Sequence, residues 1–223
     1  VRRLLAALLV LCVAVPAVAL AADTDPKKRI TAADKAKARS IVLKRSDLAA
    51  GWKKIPASPD SDATCPGFSP DESDLTLTGE AEANFQHTQA GLSISSYSEV
   101  YETKDDAVKS WTRSNKPALA RCIGHFFREE VAQEGNQVKI LSAGRMAVPK
   151  LAPRVAGFKV VARVTFTENG ETTTVPFTMQ LLALGHGRGD TVIFVISPGS
   201  GIPSADLRTF AVLLASRLAA AKL

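Results

Sequence analysis

The strongest pattern in the chain is the alternation of apolar and polar residues between Gly157 and Ser197. Phe158, Val160, Ala162, Val164 and Phe166 alternate with Lys159, Arg163, Thr165 and Thr167. After Asn169-Gly170 the same beat returns in Val175, Phe177, Met179, Leu181 and Ala183. A period of two predicts strands with one buried and one wetter face. Asn-Gly accepts the positive φ angles of a tight hairpin turn, so the two runs read as a hairpin. Gly185, Gly187 and Gly189 form a looser turn into a third strand, Thr191–Ile196. Further strands are predicted within Asp74–Phe85 and Leu92–Tyr101, with Leu75, Leu77, Leu92, Ile94, Ser96 and Val100 facing inward, and at Val138–Val148.

Helical spacing separates these strands. Thr31 and Asp34 have the spacing of a capping box, which starts a helix from Ala32 to about Lys44. Its apolar face is thin: Ala33, Ala36, Ile41 and Val42. Thr103 and Asp106 open a second helix that runs through Trp111. Pro117 interrupts that helix and suits the first turn of the next one. There Leu119, Cys122, Ile123, Phe126 and Phe127 recur at helical spacing and predict an inward stripe. A last helix follows Pro203, with Ser204 as its cap and Leu207, Phe210, Ala211, Leu214 and Leu218 on one face. Residues 55–72, rich in proline and aspartate, read as an irregular loop. The expected fold class is α+β: an antiparallel sheet of about six strands with helices packed on one face. Residues 31–223 are read as a single domain, and a division into two similar halves near residue 150 stays open.

The N-terminus suggests export. Arg2 and Arg3 precede a short apolar run, and Ala19-Leu20-Ala21 offers small residues where a signal peptidase reads them. Residues 1–21 are therefore expected to be a signal peptide, with 22–30 a flexible lead-in. Cys12 is either an ordinary leader cysteine or a lipidation site. Beyond the leader only Cys65 and Cys122 remain, and an even pair in an exported chain predicts a disulfide between the Pro-rich loop and the helix.

Charge narrows the partners. The 223-residue chain carries 28 basic and 22 acidic side chains. Of these, ten basic and four acidic residues lie in 23–54, so the excess sits at one end. No aromatic residues interleave with basic ones as a nucleic-acid platform requires, so no nucleic-acid partner is expected. The basic helix, through Lys35, Lys37, Arg39 and Lys44, could instead meet anionic lipid or wall polymer. Its other reading is a solvated helix face.

No motif carries catalytic or metal chemistry. His87, His125 and His186 lack zinc-site spacing, Gly199-Ser200-Gly201 is not a nucleophile elbow, and Asp60-Ser61-Asp62 is only a fragment of a calcium loop. Arg188-Gly189-Asp190 spells an adhesion tripeptide in what reads as a hairpin turn. No cofactor is expected and no catalytic residue is assigned. A cleft between sheet and helices is the expected binding place for a small apolar or wall-derived ligand, with Trp111, Phe126 and Phe127 as candidate lining residues.

The run Ile94-Ser95-Ser96-Tyr97-Ser98-Glu99-Val100-Tyr101, then Asp105-Asp106-Ala107 and Pro117-Ala118-Leu119-Ala120-Arg121-Cys122, resembles secreted actinobacterial proteins of unassigned function. These are related to the extracellular sensor-like domains of mycobacterial kinases. The resemblance implies an exported, noncatalytic binding or sensor-like module of the cell envelope. The runner-up is an envelope interaction protein working through its basic helix, and a hydrolase is a third class.

Overall fold

The computed structural model describes residues 24–56, 65–88, 91–133, 135–168 and 170–223. The expected leader with Cys12, the Asp60–Asp62 fragment and Asn169 lie outside these residues.

Among the described residues, eight strands form one open, mostly antiparallel sheet in an α+β fold. They are β1 (Lys27–Lys28), β2 (Trp52–Ile55), β3 (Thr76–His87), β4 (Leu92–Tyr101), β5 (Gln137–Arg145), β6 (Arg154–Glu168), β7 (Glu171–His186) and β8 (Gly189–Pro198). The spatial order is β1-β3-β4-β8-β7-β6-β5, and β2 also pairs with β3. Four helices join them: α1 (Ala32–Ile41), α2 (Lys104–Ser114), α3 (Ala118–Gln133) and α4 (Ser204–Ala220).

The count of about six strands is corrected to eight. β1 lies in the stretch read as a lead-in and pairs in parallel with Thr76 and Leu77. β2, where no strand is expected from the sequence, pairs antiparallel with Asn84–His87. Strands of two and four residues are too short to display a period, so alternation could not reveal them.

The placement of helices on one face is also corrected, because they cover both. On one side Ala120, Ile123 and Phe127 of α3 pack on Phe158, Val160, Ala162 and Met179. On the other, Ile41 of α1 and Leu207, Leu214 and Leu218 of α4 pack on Phe85, Ile94, Leu184, Ile193 and Val195. Full burial of each such aliphatic side chain contributes about 1.5–3 kcal/mol. β7 explains the misreading. Phe177–Gln180 and Leu182–Gly185 are buried without alternation, because the polar residues in the run face the second helix layer rather than water. Thr178 Oγ1 donates to the Gly199 carbonyl (2.8 Å), and Gln180 Oε1 accepts from Ile202 N–H (3.1 Å).

The first helix departs in two ways. It stops at Ile41 rather than Lys44, and Val42 turns into extended backbone. Leu43 N–H then donates to the buried Ser96 hydroxyl at 3.1 Å. Thr31 caps the helix by accepting from Asp34 N–H (3.1 Å), but Asp34 does not complete a box. Its carboxylate turns inward, where Arg188 donates to both oxygens at 2.7 and 3.0 Å, and Thr78 Oγ1 donates at 2.7 Å. The inner face of α1 is consequently Asp34, Ala38 and Ile41, and Ala33 and Ala36 face solvent. At the other end of the chain α4 starts at Ser204 with Pro203 in the cap position, so Ser204 is not the cap.

Cys65 and Cys122 form a disulfide, with Cα atoms 5.3 Å apart across a sequence separation of 57. Chain-entropy arithmetic gives such a loop about 4 kcal/mol.

The Arg188–Asp34 hydrogen bonds, ahead of the desolvation that opposes them, hold the Asp34 carboxyl below its ordinary range. Its contribution is therefore present above the usual carboxylate pKa and is lost as pH falls through the depressed folded value. Arg188→Leu leaves the carboxylate buried without its cation. The expected loss is about 3–5 kcal/mol at pH 7, read as a lower urea midpoint. It should shrink at pH 3, where Asp34 is protonated in the variant.

Candidate functional site

Both edge strands pair with β3, but at opposite ends. β1 covers Thr76–Leu77 and β2 covers Asn84–His87. Among the described residues no strand pairs with the outer margin of β3 between them. At the lower end of this gap α1 crosses β3 in close contact. Gly79 makes that possible, since a Cβ there would collide with the Asp34 carbonyl.

The gap opens into a cleft of about 670 Å³. Glu80, Ala81, Glu82 and Ala83 all line it. Successive strand residues point to opposite faces, so the cleft wraps around the edge of the sheet. Its rim is basic. α1 contributes Lys35 and Arg39, one helical turn apart and both exposed, the segment after α1 contributes Lys44 and Arg45, and β2 contributes Lys54.

These cations are only partly neutralised. Among the described residues no carboxylate forms an ion pair with Lys35, Arg39 or Lys54. Asp47, the acid nearest in sequence to Lys44 and Arg45, is held by Arg217 at 2.7 and 2.8 Å. The two acids on the cleft wall have partners of their own. Glu80 takes Lys28 Nζ at 3.1 Å and the Tyr97 hydroxyl at 3.4 Å. Glu82 accepts from Asn84 Nδ2 at 2.6 Å. Desolvation, together with the Glu99 and Glu80 carboxylates, holds the Tyr97 phenol protonated.

Of the four residues expected to form an anionic-binding face, the structure brings Lys35, Arg39 and Lys44 to the cleft and leaves Lys37 off its lining. Arg45 and Lys54 join them, and sequence reasoning missed both. Lys54 is invisible without β2, whose pairing with β3 carries it to the rim.

The aromatic candidates are arranged differently. Trp111 and Phe127 both pack on the apolar cluster under α2 and α3. The Arg154 guanidinium sits 5.8 Å from the Trp111 ring centroid, and Phe127 meets Phe177 at 5.7 Å. Phe126 is half-buried, 6.4 Å from the His125 ring. Trp52, half-buried, meets His87 edge-on at 5.4 Å. The Arg188-Gly189-Asp190 tripeptide is engaged internally, Arg188 with Asp34 and Asp190 with Arg154 at 2.7 Å. Among the described residues, no cluster of His, Cys, Asp or Glu has the arrangement of a metal site, and no helix is long and apolar enough to cross a membrane.

Gly79→Ala should push α1 off β3 and widen the mouth of the cleft. A loss of about 1–3 kcal/mol is expected, with increased hydrogen exchange in α1 and not in α3. Unchanged α1 protection would show that the close approach does not fix the helix.

Compared with models of known protein families and with curated proteins, the chain matches none.

Proposed function

We propose that the chain is an exported, noncatalytic binding module that holds an anionic partner of the cell envelope, a lipid headgroup or a wall polymer, in the basic cleft beside α1. The observation behind this reading is that five cations from α1, the segment after it and β2 converge on one concavity, against two carboxylates on its wall, Glu80 and Glu82, of which Glu80 is paired with Lys28. A cleft concentrates their potential, and a lysine or arginine near an anionic surface contributes about 1 kcal/mol. The alternative of an apolar ligand gripped by Trp111 and Phe127 has less support, because both rings are engaged in internal packing.

The reading is tested by cosedimentation with anionic vesicles and with purified wall polymer, comparing the parent chain with a Lys35→Gln, Arg39→Gln, Lys54→Gln triple variant. Losing three cations should weaken binding about a hundredfold, and binding of the parent should fall steeply with added salt. Lys37→Gln, off the cleft, is the control. Equal weakening by that control, or salt-insensitive binding, would sink the proposal.

A further inference from the structure

At the end of the sheet that meets α2, a chain of short polar contacts crosses from strand to helix. Tyr101 Oη on β4 lies 2.8 Å from Glu99 Oε2 and 2.8 Å from Ser110 Oγ on α2. Ser110 Oγ lies 2.8 Å from Glu72 Oε1, and Ser114 Oγ lies 2.7 Å from the same oxygen. Tyr101, Ser110 and Glu72 are buried.

Counting protons decides what this arrangement is. The four contacts require four donated protons, and Tyr101, Ser110 and Ser114 have one each. Two ionised carboxylates would leave one short contact without a hydrogen. One extra proton on Glu99 completes the set. A protonated Glu99 donates to Tyr101, Tyr101 to Ser110, and Ser110 and Ser114 to Glu72.

We infer that Glu99 carries the extra proton that completes the Tyr101–Ser110 relay to Glu72, and that its release as pH rises loosens α2 and the Glu72 segment from the sheet. The surroundings favour keeping that proton. Asp190 of β8 and Glu72 add negative charge near Glu99, and Glu80 of β3 and Tyr97 border it on the same face. Arg154 of β6 is engaged with Asp190 and the Gly187 and Gly189 carbonyls. Arg188 points to Asp34 and the Tyr101 carbonyl, and Arg113 of α2 pairs with Asp74. Desolvation accordingly raises Glu99 from 4.5 to about 7, against the Tyr101 and Tyr97 hydrogen bonds that oppose it. A folded pKa above the unfolded one means that the stabilisation is full below the unfolded value and is lost as pH rises through the folded value.

The test is difference infrared spectroscopy of the full chain between pH 5 and 9, with hydrogen exchange followed in parallel. The parent should show a protonated-carboxyl C=O band that disappears well above the ordinary carboxyl range. α2 amide protection, corrected for the intrinsic rate, should fall by at least about tenfold over the same interval. Ser110→Ala is the decisive variant. It leaves two contacts served by two hydroxyls and removes the relay's need for a fourth proton, so the band should titrate at lower pH than in the parent although both carboxyls remain. Glu99→Gln should remove the higher-pH part of the band and flatten the pH dependence of α2, whereas Asp190→Asn should remove only the part that titrates near 6. A parent without the band, or a Ser110→Ala chain in which it titrates as in the parent, overturns the inference.

Discussion

The ion pair between Asp34 and Arg188 fixes the geometry on which the rest depends. It joins residues 154 positions apart, the first turn of α1 and the turn between β7 and β8. Arg188 also donates to the Tyr101 carbonyl at 2.6 Å, and Thr78 donates to Asp34. One buried junction therefore holds the helix, the tight turn and the ends of β3 and β4. Such a pair is weak evidence of net stability, because desolvation offsets much of its Coulomb energy. Its value lies in position, since an uncompensated charge there is costly and the pairing selects one placement of α1. That placement directs Lys35 and Arg39 toward the gap in the sheet edge.

The same contrast runs through the whole charge distribution. Arg154, Arg188 and Arg217 each meet an aspartate with little exposure, and the planar guanidinium suits carboxylate recognition from a fixed direction. Three of the five cations lining the cleft are lysines, whose mobile and strongly hydrated ammonium groups favour a partner of loosely defined shape. Lys35, Arg39 and Lys54 have no ion-pair partner among the described residues, although Glu80 and Glu82 share the cleft wall with them. Net charge alone did not predict this, because it is set by which cations the fold leaves unmatched.

How much of this could be read in the sequence depended on whether a residue's polarity matched its surroundings. Phe158, Val160, Ala162 and Val164 alternate and are all buried, and Leu75, Leu77, Ile94, Ser96 and Val100 sit inside as their pattern implies. The disulfide followed from counting cysteines. Two of the errors share one cause, a polar residue buried against a specific partner. Asp34 reads as the capping-box partner of Thr31 because its Arg188 partner is remote in sequence. Thr178 and Gln180 imitated a wet face, which hid the second helix layer. Lys54 could not be assigned to the cleft because β2 is too short to announce itself, and the Glu72–Glu99 relay joins segments that only the fold brings together.

Two sets of buried or half-buried carboxylates respond to pH in opposite directions, which gives the α2 end and the α1 end of the sheet different behaviour. Arg188 lowers Asp34, and Arg217 with the Lys44 amide lowers Asp47 against its desolvation, so the α1 and α4 side weakens in acid. Glu99 and Asp190 are raised, Glu99 to about 7 and Asp190 to about 6, chiefly by desolvation, so the α2 side weakens as the solution becomes alkaline. Arg188 touches both regions, through Asp34 on one side and the Tyr101 carbonyl on the other. Tyr97 lies between them, lining the cleft and hydrogen-bonding Glu80 while bordering Glu99. Both sets of contacts contribute most fully together in the mildly acidic range between these titrations. From that range upward the cleft keeps the α1 geometry that forms its basic rim.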